Sequence, residues 1–348
     1  MTILTARALN RTLLRRQGLL ARSPGSVHGV VHDLIGLQAQ ESLPPYLSLA
    51  ARLAELDPHD VTQALADRSL VRILSLRDTV HLHVPQDAVT LPVWAEPVRQ
   101  REERSSRTIG PARAIDADEF RAVLAELLTG PRPLRELSAA LAERYSGHPP
   151  AALGNLARLR APLLQVPPRG GWKASGGVVY EYVDRWTGLS LTAPDLSALV
   201  RRYLRGYGPA SAADMTTWSG VTRLGPVLAA TADLVRHSVA GSRVVLYDVP
   251  EGEVVEDVHA PVRLLGSYDN LWLSHATRDR MMTPAGRAAW MGSNGASAGV
   301  VLADGYVAGL WRPVEGRVVL DEPLRSLTRR ERVELDEEVD RVEALLAR

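Results

Sequence analysis

Two glutamines near the start of the sequence lie at the end of a helical pattern, and the first occupies a position where that pattern would place an aliphatic residue. The apolar stripe that begins at Val27 would next be filled at Gln38, and Gln40 follows after one alanine in "DLIGLQAQESLPPY". The Pro44-Pro45 pair prevents a helix from continuing far, so both amides are expected where the chain leaves helical geometry. Side chains two residues apart share a face only when the chain is extended. An extended step would therefore direct both amides towards one point.

A second set of polar side chains lies in "SLRDTVHLHV", whose β-branched residues and alternation predict strands. In a strand, Arg77, Thr79, His81 and His83 would lie on one side. We interpret Arg77, Thr79 and His81 as ligands of phosphate groups or as the lining of a pocket. Arg77 is the strongest phosphate ligand because its guanidinium is always charged and bidentate. For His83, a hydrogen bond within the hairpin is the favoured role.

Composition limits the classes of protein that the chain can represent. Its 348 residues are 45% apolar and 23% charged, which is ordinary for a globular protein with several cores. Because cysteine is absent, disulfides and thiolate chemistry are excluded, and no metal site is expected since His81 and His83 have no evident third ligand. No apolar run has transmembrane length and no signal-peptide pattern is present. We therefore expect a cytoplasmic protein without a membrane partner.

The basic residues are almost all arginines, and Lys173 is the single lysine. A lone lysine disfavours catalysis through an imine. The net charge of +1 does not indicate a uniformly basic nucleic-acid-binding protein. Any surface that binds nucleic acid must therefore be a local cluster of basic residues.

Helices and short strands alternate in a pattern that recurs along the sequence. Segments 1–112, 113–192 and 193–258 each begin with two or three amphipathic helices and end with a pair of apolar strands. This order is typical of winged-helix domains, which serve in DNA binding and in protein interaction. Residues 259–348 are richer in strands and end in an acidic helix. We predict an α+β, mainly helical fold of three tandem winged-helix domains, followed by a C-terminal β element and helix.

The same pattern predicts individual helices and turns. Helices are predicted near residues 4–20, 27–38 and 223–236. Tight hairpin turns are predicted at Asp304-Gly305 and Glu315-Gly316, because these pairs favour the left-handed conformation that such turns require.

Five motifs in order resemble one known family, the AlkZ-like DNA glycosylases. They are "LIGLQAQ", "SLRDTVHLHVPQD", "YLRGYGPASAADMTTWSG", "LLGSYDNLWL" and "DGYVAGLWR", which together extend over nearly the whole chain. The resemblance implies three winged helices and a catalytic Gln-apolar-Gln motif, which Gln38-Ala39-Gln40 matches. The middle alanine is smaller than the family's usual aliphatic residue. The resemblance further implies removal of N7-alkylated purines from double-stranded DNA, including bulky natural-product adducts or crosslinks, in repair or antibiotic self-resistance.

Amides suit this substrate chemically. Glycosidic hydrolysis ordinarily uses two carboxyl groups, one of which protonates the leaving group. An N7-alkylated purine already carries positive charge, so the base departs without a proton and the remaining task is to place water against the sugar. An amide offers one carbonyl acceptor and two N–H donors for that task. We expect a monofunctional hydrolase that acts as a monomer, needs no cofactor and leaves an abasic site without strand cleavage.

Two further regions supply candidate residues. Asp269 in "SYDNLWL" can stabilise positive charge on the sugar or help to activate water, and a turn or helix cap is the alternative role. Ser293 and Asn294, in the small polar loop "MGSNGASAG", can contact a DNA groove, together with Arg77, Thr79 and His81. Such loops more often only connect strands.

Rival functions remain open at this level. The leading alternative is a winged-helix transcription regulator without catalysis, which would bind a defined sequence as a symmetric dimer. The glutamines would then only satisfy backbone groups at the end of a helix. A nuclease is disfavoured because no cluster of carboxylates with two-metal spacing is evident.

Overall fold

Three β-sheets and the helices packed around them form a mixed α/β molecule. The computed structural model describes residues 2–290 and 298–348. Among these described residues, no helix has the length and apolar character needed to cross a bilayer.

The first part of the chain contains four strands and six helices. They are β1 (Thr2–Leu4), α1 (Ala6–Arg16), α2 (Val27–Asp33), β2 (Leu37–Gln38), α3 (Pro44–Arg52), α4 (Pro58–Ala66), β3 (Val71–Leu74), β4 (Val80–His83), α5 (Pro85–Trp94) and α6 (Glu96–Ser105).

The middle of the chain continues with seven helices and five strands. They are α7 (Ala117–Leu127), β5 (Arg132–Pro133), α8 (Leu134–Arg144), α9 (Pro150–Arg160), β6 (Leu163–Gln165), β7 (Val179–Tyr182), α10 (Val183–Thr187), α11 (Leu196–Tyr207), α12 (Ala212–Ser219), α13 (Gly225–Ala230), β8 (Val235–Val239) and β9 (Leu246–Asp248).

The last part is a strand-rich unit closed by a long helix. Its elements are β10 (Arg263–Leu265), α14 (Asn270–Leu273), α15 (Pro284–Trp290), β11 (Gly299–Ala303), β12 (Tyr306–Val314), β13 (Arg317–Leu320) and α16 (Arg329–Ala347).

The largest sheet joins strands from the first two sequence segments. Its order is β2-β4-β3-β6-β7-β5, with antiparallel neighbours throughout. The hairpins β3–β4 and β6–β7 were both expected from the sequence, and Ile73 of β3 pairs with Leu164 of β6. The two hairpins therefore form one continuous sheet.

The expected helix at 27–38 is wrong in its second half. Helix α2 ends at Asp33 because Ile35 and Gly36 adopt positive φ values of 54° and 98°. The Gly36 N–H donates to the Val31 carbonyl, which closes the helix with a left-handed turn. The chain is then extended, so that Leu37 and Gln38 form the edge strand β2.

The other two helix expectations also exceed the observed helices. Thr2–Leu4 pairs in parallel with β8, and α1 begins only after Thr5, whose hydroxyl accepts a hydrogen bond from the Ala8 N–H. Near 223–236, α13 is short because Asp233 has a φ of 61° and the chain enters β8 directly afterwards. Local helical periodicity overestimated the helix length at each of these places.

The C-terminal unit contains the two tight hairpin turns that were predicted from its sequence. Strands β10 to β13 form an antiparallel sheet. Asp304-Gly305 and Glu315-Gly316 connect its last three strands, and all four residues have positive φ values between 48° and 79°. These values match the two-residue hairpin turns predicted from the sequence.

Gly36 allows β2 to approach β4 closely. A Cβ atom at this position would overlap the His83 ring, and the positive φ of 98° is unfavourable for any side chain. We expect Gly36→Ala to lower the free energy of unfolding by about 1–3 kcal/mol or more, measured by urea denaturation. Gly130→Ala is the matched control because a Cβ there meets nothing within 4 Å. Equal urea midpoints for the two variants would contradict this account.

Candidate active site

Gln38 lies on the edge strand of the largest sheet, beside a histidine of the neighbouring strand. In the β2–β4 pairing Gln38 is the partner of His81, so the two side chains share a face. Both are buried, with exposed fractions of 7% and 2%. The opposite face carries Leu37 and Leu82, which belong to the main hydrophobic core. The strand is therefore anchored by apolar residues on one face and presents Gln38 on the other.

Arg77 connects these side chains. It lies on a 3₁₀ turn, Leu76–Asp78, between β3 and β4, with a φ of 53°. Its Nη2 donates to Gln38 Oε1 at 2.8 Å and to His81 Nε2 at 3.2 Å, and its Nη1 donates to the Trp218 carbonyl. The expected alternation of Arg77 with Thr79 along a strand is therefore wrong, because the left-handed turn directs the guanidinium inwards instead.

His81 is held in one neutral tautomer. Its Nδ1 lies 2.9 Å from the Thr79 carbonyl, which can only accept, so Nδ1 carries the proton and Nε2 accepts from Arg77. Burial, with further contributions from Arg77 and His83, holds the pKa of His81 well below its usual value. The His81 ring also stacks on His83, with centroids 5.4 Å apart. An uncharged imidazole is thus fixed beside Gln38.

Arg77 is a cation held by neutral acceptors. Burial lowers the pKa of Arg77 to about 10, so it stays charged at neutral pH. Across residues 2–290 and 298–348, no carboxylate forms an ion pair with it. Its bond to Gln38 engages the amide oxygen. In the same part of the chain, no group accepts a hydrogen bond from Gln38 Nε2, which leaves both of those N–H groups available.

Gln40 is anchored in a similar way by its carbonyl oxygen. Gln40 is exposed, and its Oε1 accepts from the Val80 N–H at 3.1 Å. Between the two glutamines, the Ala39 N–H donates to the Val80 carbonyl and the Ala39 carbonyl accepts from Arg72 Nη2 at 2.6 Å. Gln38 is therefore buried behind the strand edge, whereas Gln40 lies at the surface.

The structure places Asp269 away from these contacts. Its carboxylate forms a buried ion pair with Arg52, at 2.7 and 2.8 Å, and accepts from the Ser48 hydroxyl at 2.6 Å. It also caps α14 by accepting from the Leu271 N–H at 3.0 Å. Burial raises the pKa of Asp269, but Arg52 and these donors outweigh it and hold the pKa below its usual value. The alternative role of Asp269, a helix cap, is the one observed.

Asn270, next to Asp269, connects this ion pair to the strand that carries Gln38. Its side-chain amide donates to the Gly36 carbonyl at 2.8 Å and to the Tyr207 hydroxyl at 2.9 Å. The Tyr207 hydroxyl in turn donates to the Leu34 carbonyl at 2.6 Å. Hydrogen bonds from Asn270 of the C-terminal unit and from Tyr207 of α11 thus hold the turn that leads into β2.

The remaining sequence candidates divide into described and undescribed positions. Thr79 is half-buried, and its hydroxyl donates to the Leu76 carbonyl at 3.1 Å. His83 is buried and lies 2.8 Å from the Ser75 hydroxyl, as the hairpin interpretation expected. Ser293 and Asn294 lie outside the described residues. Among the described residues, no group of three or more histidine, aspartate or glutamate side chains is arranged to hold a metal ion.

Arg72 and the Trp218 carbonyl are parts of the site that sequence reasoning missed. Arg72 is 2% exposed and stands between apolar residues of β3. Burial lowers the pKa of Arg72 to about 10. The signal that could have identified Arg72 is a charged residue inside an apolar strand. The contact between Arg77 and the Trp218 carbonyl has no such signal in the sequence, because the two residues are more than a hundred positions apart.

Removal of one partner from the Arg52–Asp269 pair should be strongly destabilising. Asp269→Asn is expected to cost about 3–5 kcal/mol of unfolding free energy in urea, because Arg52 would be left buried and charged. Since the folded pKa of Asp269 is depressed, its contribution is complete above the unfolded pKa of about 4 and is lost as pH falls through the folded pKa. Asp118→Asn, in a pair whose aspartate is 91% exposed, should change little. A similar loss of unfolding free energy in both variants would show that the buried Arg52–Asp269 pair is no more important than an exposed one.

The Thr79 carbonyl and the Arg77 guanidinium together hold the tautomer of His81. In the native chain, ¹⁵N NMR should find His81 neutral, with its proton on Nδ1, at the pH where an ordinary imidazole is half protonated. Arg77→Met should raise the pKa of His81, because a neighbouring cation is lost, and should allow the second tautomer to appear. Arg121→Met, which removes an exposed arginine, is the control. A native His81 protonated on Nε2 would rule out the proposed hydrogen-bond direction.

Comparison with known proteins adds independent information. A family model described as DNA glycosylase AlkZ-like matches residues 31–345. An interstrand DNA cross-link repair glycosylase from Streptomyces sahachiroi is 27% identical over 331 residues, which cover 88% of this chain and 87% of that protein. The solved structure of Streptomyces sahachiroi DNA glycosylase AlkZ has a TM-score of 0.83 at 23% identity, covering 99% of this chain and 98% of that one. At 23% identity, this structural similarity shows that the two proteins share a fold.

The family match spans nearly all of the chain, including Gln38, Arg77 and Asp269. It confirms the resemblance drawn from the ordered motifs of the sequence. The chain therefore belongs to the AlkZ-like family of DNA glycosylases, a class of DNA-binding repair enzymes.

Proposed function

We propose that the chain is a monofunctional glycosylase that hydrolyses the N-glycosidic bond of N7-alkylated purines in double-stranded DNA. The observation that carries this proposal is the fixed Gln38 amide, whose carbonyl oxygen binds Arg77 while its N–H groups have no acceptor within the described residues. The site holds a neutral imidazole and a guanidinium but no carboxylate in contact with Gln38 across those residues. Such a site lacks a general acid, and a cationic leaving base needs none.

The chemical role of Gln38 is to orient water. A carbonyl oxygen has two lone pairs, so Gln38 Oε1 can accept from a water molecule while Arg77 uses the other position. The water oxygen then faces the anomeric carbon as the neutral base departs. Positioning of this kind can supply about 7–11 kcal/mol of rate acceleration in favourable cases. The amide does not remove the proton of the water, which passes to solvent after attack.

The other residues take supporting roles in this proposal. Gln40, which is exposed, and Thr79, which is half-buried, contact the DNA near the lesion, and Ser293 and Asn294 contact a groove. Arg77 orients Gln38, because its guanidinium points inwards rather than towards a phosphate. Asp269 acts at a distance, since it fixes the unit that holds Gly36.

The proposed enzyme consists of three winged-helix domains and a C-terminal unit. Helices followed by a strand pair recur in α7–α9 with β6–β7 and in α11–α13 with β8–β9, which supports winged-helix domains at 113–192 and 193–258 after a first one at 1–112. A C-terminal unit follows at 259–348. We propose a cytoplasmic monomer that acts without a cofactor. Because a related chain is named an interstrand DNA cross-link repair glycosylase, bulky adducts and crosslinks are included among the substrates.

The decisive experiment measures base release from duplex DNA containing 7-methylguanine or a bulky N7-guanine adduct. Gln38→Ala should lower the single-turnover rate on the order of 100-fold while affinity for the lesion duplex is retained, because positioning is lost and binding is not. Gln38→Glu should also be slow, since its carboxylate would pair with Arg77. Gln86→Ala, an exposed glutamine on α5, is the matched control and should behave as the native chain.

Two outcomes would contradict the proposal in different ways. A strand nick without heat or alkali would argue against monofunctional hydrolysis. If the native chain released neither base yet bound one undamaged sequence tightly, the non-catalytic regulator would be the better account.

A further inference from the structure

The C-terminal end of α12, in segment 193–258, holds Arg77 from outside its own segment. Trp218 lies in the last turn of α12, where backbone carbonyls have no acceptor role within the helix. Its carbonyl accepts from Arg77 Nη1. The C-terminal end of a helix also carries partial negative charge, which favours a nearby cation. Since no carboxylate within the described ranges 2–290 and 298–348 forms an ion pair with Arg77, α12 presents the negative end that faces this guanidinium.

The end of α12 is held firmly by aromatic packing. Trp218 is buried, and its ring centroid lies 5.0 Å from that of Tyr203 and 6.0 Å from that of Tyr207. Leu76, which directly precedes Arg77, belongs to the same hydrophobic cluster. The turn that carries Arg77 and the helix end that binds it therefore pack into one core.

Gly220 caps α12 where the helix comes closest to the Arg77 backbone. Its φ is 81°, and its N–H donates to the Thr216 carbonyl at 2.7 Å, which ends the helix in a left-handed turn. A Cβ atom at this position would lie 3.3 Å from the Arg77 Cα and 3.2 Å from Val98 Cγ1. Cβ atoms rarely have neighbours this close. A side chain at residue 220 would therefore force the Arg77 backbone and the end of α12 apart.

We propose that Gly220 is a positioning residue of the glycosylase, because it admits the Arg77 backbone against α12 and so lets the Trp218 carbonyl fix the guanidinium that orients Gln38. The inference rests on the proposed role of Gln38 in hydrolysis. It adds that segment 193–258 completes the catalytic unit of the first segment, since one guanidinium binds both Gln38 and Trp218. Without the Trp218 contact, the guanidinium turns more freely and the Gln38 amide loses its fixed direction.

The test compares two glycines that cap helices in the same backbone conformation. Gly188 ends α10 with a φ of 72°, and a Cβ there meets nothing within 4 Å. Gly188→Ala and Gly220→Ala therefore impose similar left-handed strain, but only the second presses on Arg77. Gly220→Ala should slow single-turnover release of 7-methylguanine about tenfold at unchanged affinity for the lesion duplex, because a small displacement of the site impairs positioning. Gly188→Ala should behave as the native chain.

A second variant covers the case in which Gly220→Ala does not fold. Gly220→Asn adds the same Cβ atom in a residue that tolerates the left-handed conformation better, and it should slow base release to a similar extent. Equal rates for the Gly188 and Gly220 variants would overturn the inference.

A double-mutant cycle shows whether Gly220 acts through Arg77. In Arg77→Met, which lacks the guanidinium, Gly220→Ala should cause no further loss of rate, because residues that act through one contact are not additive. Additive losses would overturn the inference, since Gly220 would then affect the rate by another route.

NMR of the free protein separates this inference from the proposed function. Arg77 Nη2 donates to both Gln38 and His81. Gly220→Ala should therefore allow the second neutral tautomer of His81 to appear in ¹⁵N spectra, as Arg77→Met should, and Gly188→Ala should not. If the native chain releases no base but the tautomer changes as expected, the function fails and the positioning of Arg77 stands. Normal base release by the native chain, with the rate and the His81 tautomer unchanged in Gly220→Ala, would overturn the positioning role alone.

Discussion

The buried ion pair between Arg52 and Asp269 is the contact on which the arrangement of the site depends. It joins α3 to the C-terminal unit through two parallel N–H···O bonds, with Ser48 and the Leu271 N–H completing the carboxylate's partners. A buried pair contributes little net stability compared with apolar packing, yet it tolerates no missing partner. Its value here is geometric, because it fixes the residue after Asp269, Asn270, against the Gly36 carbonyl. The orientation of the edge strand that carries Gln38 is thereby set from the far end of the sequence.

The identity of residue 38 is explained by its neighbour. A glutamate at this position would pair with Arg77, and its charge would be neutralised in a partly buried site. Glutamine instead accepts one hydrogen bond from Arg77, and its own donors have no acceptor in the part of the chain that the structure describes, so the guanidinium fixes the direction of the amide dipole without cancelling it. His81 reinforces this arrangement because its neutral tautomer accepts from the same guanidinium nitrogen. The amide and its two neighbours therefore act as one hydrogen-bonded unit.

Sequence reasoning succeeded where local chemistry determines the structure and failed where distant contacts do. The hairpin turns at Asp304-Gly305 and Glu315-Gly316, the last helix and the polar break at Gln38 were all evident from short segments. The turn at Arg77 was not, since a left-handed arginine has no local sequence signal. The partner of Asp269 was equally hidden, because Arg52 lies 217 positions earlier in the chain. The same limit applies to the continuous sheet, whose β3–β6 pairing joins separate segments.

The position of Lys173 has a practical consequence. It is exposed on the β6–β7 loop, where it lines a cavity of about 380 Å³ together with Trp172, Glu315 and Leu346, and no other lysine occurs in the sequence. Amine-selective reagents therefore have one side-chain target, whereas arginine-rich surfaces are left unmodified. A fluorophore or photo-crosslinker attached there would report on this cavity without any engineered cysteine.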